Sequence, residues 1–432
     1  MNPATPEGIE LEFIGSGLVD GQPSASWLLL ERAIARGFHE SSADADGRKI
    51  LAELDEQDEV QSILAFDRTA AAPSLHAADP VGTYSYFAGT LNVGGPQLLE
   101  VHEITSVTVS PTHRRRGILR SMITTHLDRA TADGVPVTVL TASEATIYGR
   151  FGFGVAAERC RFELKSGQGA QFRAPASGTV QAVAPSAMAE QVAQLYREHH
   201  LATLGSVSNN SFDLGRATGR WESYDNLKPA AKLRGALHYD ANGTLDGFIT
   251  YTFDGWKQEE PAMSIGTLCT VNETARRELV AYLCDHDLIE RVTGRGPVDD
   301  VLPTALRNTR DYKTTARGDH LWVRILDVPA ALGARSYRRD ARVVLQVDDD
   351  LGYAAGTWVL ETAGGVMSVQ RADEAAADAR LDARDLATLY LGTRSATHLA
   401  GAGLLAEHRA GALDDLDALF SGPRTPYCQA DF

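Results

Sequence analysis

The chain has 432 residues, 44% of them hydrophobic and 23% charged, with 41 basic against 57 acidic side chains and a formal charge of −16. That length suits two or three domains, the composition excludes disordered, collagen-like and disulfide-scaffold classes, and a field of this sign disfavours nucleic acid and favours cationic ligands. No apolar run reaches the roughly 18 residues of a membrane span, the opening MNPATPEGIELEF has neither the basic nor the apolar region of a signal peptide, and four scattered cysteines (Cys160, Cys269, Cys284, Cys428) without C-x-x-C spacing fit a reducing cytoplasm and argue against structural zinc.

In chain order, Ile9–Ile14 reads as a strand and Trp27–Ala35 as a helix with an apolar face. Asp67–Pro80, with Pro73 and Pro80, reads as a loop. Strands are expected over Thr83–Val93 and His102–Val109, dense in β-branched and aromatic residues. From Gly117 to about Asp133 the period turns helical, with Ile118, Leu119, Met122, Ile123, Leu127 and Ala130 on one face. Gly134 stops that helix, and Val135–Thr141 is an apolar strand. Lys165–Gly178, rich in Gly, Gln and Ser, reads as a linker. A similar order then recurs: strands Lys232–Tyr239 and Asp246–Phe253 around an Asn242-Gly243 turn, a strand Ala262–Val271, a helix Thr274–Cys284 and a strand Leu288–Val292. The second copy lacks the arginine run and the glycine at the helix start, which marks a degenerate internal repeat. A third segment begins near His320, with strands Trp322–Ile325 and Ala341–Val347, a hairpin Gly356–Gln370 turning at Gly364-Gly365, and helices filling Asp382–Phe420.

The run from Val107 to Arg120, V-T-V-S-P-T-H-R-R-R-G-I-L-R, carries the strongest chemical signal. A strand ending in a basic, glycine-containing turn before a helix presents unpaired backbone N–H groups at the positive end of the helix dipole, an anion cradle suited to a pyrophosphate. Arg115 and Arg116 add side-chain contacts and Gly117 lets the backbone approach closely. A solvated basic turn before an ordinary helix has the same sequence, so the run alone leaves both readings open. G152-F-G-V-A-A157 and G401-A-G-L-L-A406 match G-x-G-x-x-A without the strand-turn-helix setting that would give the match meaning. His199-His200 lies on a helix without metal-ligand spacing and reads as surface.

With its context the run resembles the acetyl-coenzyme A signature of GCN5-related N-acetyltransferases, R/Q-x-x-G-x-G/A, here Arg114-x-x-Gly117-x-Leu119, where Leu119 departs from the family's small residue. It is more similar to the enhanced intracellular survival (Eis) family of actinobacterial acetyltransferases, whose turn reads HRRRG followed by an apolar pair. T141-A-S-E-A-T-I-Y-G-R-F-G-F-G154 resembles another block of that family, D319-H-L-W-V-R-I-L-D-V-P-A-A-L332 the start of its C-terminal domain, and Asp431-Phe432 its terminus.

The resemblance implies an α/β (α+β) fold in three parts: an N-terminal GNAT acetyltransferase domain over 1–165, a degenerate GNAT-like domain over 166–315 and a sterol-carrier-protein-like α+β domain over 316–432 that delivers the C-terminal carboxylate. It implies direct acetyl transfer from acetyl-CoA, with no metal, to primary amines of aminoglycoside antibiotics or of lysine side chains, in a homo-hexamer. Val107, Thr108 and Val109 would pair with the pantetheine amides. Arg114 to Arg120, including Ile118, would cradle the pyrophosphate. Ser143 and Glu144 would line the cofactor, Tyr148 would be the general acid, and the carboxylate of Phe432 the general base. Without the family, Tyr148 reads as an aromatic packed beside Phe151 and Phe153, and Phe432 as a frayed end. A tyrosine of pKa about 10 is protonated at neutral pH and can donate to a departing thiolate, whereas an α-carboxylate near 3.5 is a weak base unless desolvated. Glu40 and Asp431 are acidic candidates for a cation pocket, with Phe38 and Trp27 as aromatic walls. The rival reading is a non-catalytic protein that binds acyl-CoA or a lipid.

Overall fold

The computed structural model describes residues 5–15, 17–166, 171–224, 226–256, 260–372, 376–422 and 424–432. Residues 1–4 of the opening segment and 167–170 of the expected linker lie outside the described residues. In the first part, β1 (Ile9–Ile14) is followed by α1 (Ala25–Gly37), α2 (Ala45–Gln57), β2 (Gln61–Asp67), β3 (Gly82–Leu91), β4 (Leu99–Val109), α3 (Ile118–Ala132), β5 (Val137–Thr141) and β6 (Gly154–Lys165). The second part runs β7 (Thr179–Val183), α4 (Ala189–Ala202), α5 (Ser211–Ala217), β8 (Arg234–Tyr239), β9 (Leu245–Phe253), β10 (Ala262–Thr270), α6 (Glu273–Cys284) and β11 (Arg291–Gly296). A long strand, β12 (Tyr312–Ile325), then leads into a smaller five-stranded sheet that holds Arg342–Asp348, the hairpin Gly356–Ala363 with Val366–Arg371, Ala379–Asp382 and Leu405–Glu407. Among the described residues no helix is long and apolar enough to cross a membrane.

Twelve of the described strands form one sheet in the order β1-β2-β3-β4-β5-β12-β6-β11-β10-β9-β8-β7. The join is β12. Its Leu321–Ile325 pair antiparallel with β5, while Tyr312–Val323 pair with β6, so a strand from late in the chain separates two strands of the first part. Because successive side chains point to opposite faces, Leu321, Val323 and Ile325 enter the core of the third part while Trp322 enters that of the first. Tyr312, at the other end, packs into the core of the second. The division drawn at residue 316 therefore falls inside one continuous strand.

The repeat is visible in the strands as well as in the order of elements. In the first part β4 and β5 pair in parallel over only three residues, His102–Ile104 with Thr138–Leu140, and then splay apart. In the second, β10 and β11 pair over Ala262–Ser264 with Arg291–Thr293 and likewise separate. Both splayed strands carry a register slip against their other neighbour, between Thr83 and Ser85 in β3 and between Thr250 and Tyr251 in β9. Such bulges bend a strand and re-aim its backbone, and in the first part Ser106 takes the strain at φ 53. The copies differ at the helix start. Residues 110–117 connect β4 to α3, but only Val271 and Asn272 connect β10 to α6.

Several expectations are corrected. The strand expected over Leu288–Val292 is β11, three residues later, because Leu288 takes φ 65 and is exposed whereas Arg291–Gly296 find partners on β6. The helices expected throughout Asp382–Phe420 are three short ones, Ala383–Tyr390, Ala396–Gly401 and Ala412–Phe420, interrupted by the Leu405–Glu407 strand. His199 and His200 are buried rather than on the surface: His199 Nδ1 lies 2.9 Å from the Thr270 carbonyl oxygen and His200 Nε2 2.9 Å from Thr90 Oγ1.

Trp322 is 1% exposed and its indole N–H donates to Asp319 over 2.7 Å. Trp322→Ala is expected to cost about 3–5 kcal/mol by opening a cavity in the first core. Denaturant unfolding measures the loss, and a change below about 1 kcal/mol would contradict β12 as the join between the cores.

Candidate active site

The splay between β4 and β5 opens a cavity of about 1630 Å³ that extends along α1 and α2 and is lined by residues from early, middle and late in the chain. One end is built as an anion cradle. Gly117 caps α3 at φ 85, a left-handed conformation that a side chain would strain, and no side chain caps the helix, so its first N–H groups face the cavity unsatisfied by the protein. Arg114, Arg115, Gly117, Ile118, Leu119 and Arg120 line this end, together with Val107, Thr108 and Val109 of the splayed strand. The guanidinium of Arg120 lies 5.4 Å from the centre of the Phe151 ring.

Arg116 does not join them. It is absent from the cavity wall and donates to Asp67 over 3.3 Å, where His113 Nε2 also lies 3.0 Å from the same oxygen. Hydrogen bonds from the Thr69 hydroxyl and N–H, then from His113 and Arg116, hold the Asp67 carboxyl well below the usual carboxylate range. His113 and Arg116 thus tie the turn to the end of β2.

Next along the wall come Ser143 and Glu144, which begin the short helix Ala145–Tyr148. Tyr148 is buried against Phe153, rings 6.0 Å apart and edge-on, with its pKa pushed up to about 12 by burial and then by the Glu144 carboxylate. Phe432 reaches the same cavity: its backbone oxygen accepts from Thr141 Oγ1 at 2.5 Å, and its ring meets Phe87 edge-on at 6.2 Å. Asp431 also lines the cavity, but its carboxylate is engaged by Arg159 at 2.9 Å and Arg295 at 3.1 Å. These cations hold it below its ordinary pKa even though burial opposes ionisation.

The far end is acidic. Phe38 and Glu40 line it, with Trp27 in the floor, and with them stand Glu31, Asp44, Asp46, Asp55 and Asp58 from α1 and α2 and their connections. Trp27 donates its indole N–H to Asp55 over 2.7 Å. Burial raises the Asp55 pKa to about 6, with the Trp27 bond opposing and Asp58 adding to the shift. The second part closes this end with Phe212 and Tyr224, stacked 3.6 Å apart, and Ser211 ties it to α2 by donating its N–H and hydroxyl to Asp58. Sequence reasoning missed α2 and its carboxylates; Asp44, which caps α2 by accepting from Gly47 N–H at 2.8 Å, followed by apolar Ile50, Leu51 and Leu54, was the available signal.

Three family models match the chain. Two models described as acetyltransferase (GNAT) domain match residues 32–156 and 213–325, and one described as sterol carrier protein domain matches 328–429. An uncharacterized N-acetyltransferase of Streptomyces griseus is 34% identical over 421 residues, covering 94% of this chain and 96% of the relative. N-acetyltransferase Eis of Mycobacterium tuberculosis is 32% identical over 366 residues, covering 82% and 85%. The crystal structure of Eis1 from Mycobacterium abscessus superposes with a TM-score of 0.79 at 25% identity, covering 98% of this chain and all of that one. The chain belongs to the Eis family of N-acetyltransferases.

GNAT acetyltransferases use acetyl-CoA, and the cradle of this Eis-family chain fits it on physical grounds. The α3 N-terminus lacks any side-chain cap, three arginines line the same end, and backbone groups of β4 lose their β5 partners beyond Ile104. The second copy offers no such cradle: the Asn272 side chain accepts from Ala275 N–H at 2.9 Å, and Glu273 places a carboxylate in the first helical turn. Arg115→Ala is expected to raise KM for acetyl-CoA by about tenfold with kcat little changed, the scale of one charge-assisted hydrogen bond. Arg116→Ala should leave KM within about twofold. Equal effects in steady-state kinetics would contradict the separation of the two side chains.

Proposed function

We propose that this enzyme acetylates primary amines of polycationic acceptors, either aminoglycoside antibiotics at one or several positions or lysine side chains, by direct transfer without a covalent enzyme intermediate. The observation that carries this reading is the polarity of the cavity: arginines and an open helix N-terminus at one end, carboxylates of α1 and α2 at the other. An acidic limb concentrates and orients a cation with several amines, and it does so beside the strand that suits a pantetheine arm. The family resemblance supports a cytoplasmic homo-hexamer, and the four buried free cysteines suit a reducing compartment.

Acetyl-CoA supplies the activated acetyl group as a thioester. The chain's part is to bind the acceptor amine, remove a proton from its nitrogen as the N–C bond forms, and provide a proton to the sulfur as the C–S bond breaks. Tyr148 is the proposed donor; a pKa near 12 keeps its hydroxyl protonated throughout the working range. The α-carboxylate of Phe432 is the proposed acceptor of the ammonium and its proton. Thr141 Oγ1 donates to it over 2.5 Å and fixes its place, and an α-carboxylate can grip a cation while being only a weak base. The ammonium first gives up one proton to water, exposing the lone pair that attacks. Once the nitrogen is bonded to the acetyl carbon it is strongly acidic, so a weak base suffices to take its second proton as Tyr148 protonates the departing sulfur.

Incubation with acetyl-CoA and a multi-amine aminoglycoside should release free thiol and add about 42 Da per acetyl group, and Tyr148→Phe should lower kcat by about 10²–10⁴-fold. Full turnover in Tyr148→Phe would discard it as the acid, and no turnover on any polyamine would overturn the reading. With Tyr148 protonated up to about 12, kcat should show no descending limb below pH 10.

Asp55 supplies a second pH signature. A carboxyl with its pKa raised to about 6 is charged at pH 7.5 and loses that charge as pH falls through 6. KM for a fully protonated polyamine is therefore expected to rise on going from pH 7.5 to 5.5 in the wild type and to stay flat in Asp55→Asn. Parallel curves would remove Asp55 from acceptor binding.

A further inference from the structure

The C-terminal tail follows a path through the second copy. Arg424 pairs with Glu273, the first residue of α6, and Thr425 N–H donates to Asp299, just beyond β11, over 3.1 Å. Tyr427 N–H donates to the Leu204 carbonyl over 2.8 Å, and its buried ring meets His199 edge-on at 6.5 Å. His199 in turn holds the last carbonyl of β10, that of Thr270. The tail therefore runs past the helix start and the splay of β10 and β11, the region that corresponds to the open cleft of the first copy. It emerges where Asp431 meets Arg295 of β11 at 3.1 Å and Arg159 of β6 at 2.9 Å. One residue later Phe432 meets Thr141, at the end of β5 in the first copy.

We infer that the degenerate copy serves as a clamp for the tail, with Arg295 and Arg159 as positioning residues that fix Asp431 and thereby hold the Phe432 carboxylate in the first site. The inference rests on the proposed role of that carboxylate. The physical case has two parts. The anion cradle of the second copy is closed by the Asn272 cap and the Glu273 carboxylate, so the cleft is unsuited to a phosphate and suited to the cationic Arg424. The two arginines oppose one carboxylate from different strands, and a doubly held charge fixes the adjoining residue more tightly than one contact, in the way catalytic groups are preorganised. His320 completes the grip, its Nε2 lying 2.8 Å from the Ala430 carbonyl oxygen.

Arg295 is half-exposed, so its replacement leaves the cores intact. The test uses the full chain ending at Phe432, with Arg295→Gln and Arg295→Lys, read by timed carboxypeptidase trimming, mass spectrometry and steady-state kinetics. Arg295→Gln is expected to release Phe432 about tenfold faster and to lower kcat by about tenfold with KM for acetyl-CoA within about twofold, while Arg295→Lys restores most of both. Trimming no faster than wild type would overturn the clamp. Faster trimming with undiminished turnover would keep the clamp and overturn the role of the Phe432 carboxylate, so the two failures are distinguishable.

Discussion

Leu321–Ile325 pair with β5 while Tyr312–Val323 pair with β6, and every other feature of the molecule depends on that insertion. A strand between β5 and β6 closes the first sheet on one side and, through β6 and β11, carries it into the second. It also feeds three cores, with Tyr312, Trp322 and the Leu321–Val323–Ile325 row each serving a different one. Because the third part leaves directly from this strand, its tail can return to β5 without a long linker, ending at Thr141. The fully buried pair Arg324–Asp349, 2.6 Å apart, anchors the same strand to the start of the third part; breaking such a pair leaves an uncompensated charge, so the join tolerates little displacement.

The two copies use the same backbone device for opposite ends. Both splay a parallel pair after three residues and both bend the splayed strand with a register slip. In the first, an eight-residue turn and a left-handed glycine leave the helix N-terminus open. In the second, the turn is two residues, an asparagine caps the helix and an acid occupies its first turn. Loss of one anion site thus leaves a cleft whose remaining chemistry, acidic at the helix and basic at Arg295, complements the charges along the tail. The acceptor limb of the first copy draws on the second as well, through Phe212, Tyr224 and the Ser211–Asp58 bonds.

Much of this was legible in the sequence, for reasons tied to local patterns. The strand, basic turn and helix around Val107–Arg120 carry their own signals in β-branched density, glycine and periodicity, and the hairpin at Gly364-Gly365 forms where its turn chemistry put it. What was not legible depended on tertiary pairing. Arg116 is indistinguishable from Arg115 until Asp67, 49 positions earlier, is brought beside it. Asp431 reads as a free acid until β6 and β11 present their arginines. The buried histidines of α4 look polar in the sequence, and each places one ring nitrogen against a partner, His200 on β3 and His199 on β10. Likewise β11, with its T-G-R-G run, lacks any apolar alternation and is a strand because β6 along its length and β10 over Arg291–Thr293 supply partners.

The account stands on one open cleft and one closed one within the same chain. Hydrogen exchange of the full-length protein with and without coenzyme A separates these directly. Protection is expected at the amides of Val107–Val109 and Ile118–Ser121, with none gained at Glu273–Arg276. Protection at the start of α6, or none at the start of α3, would contradict it.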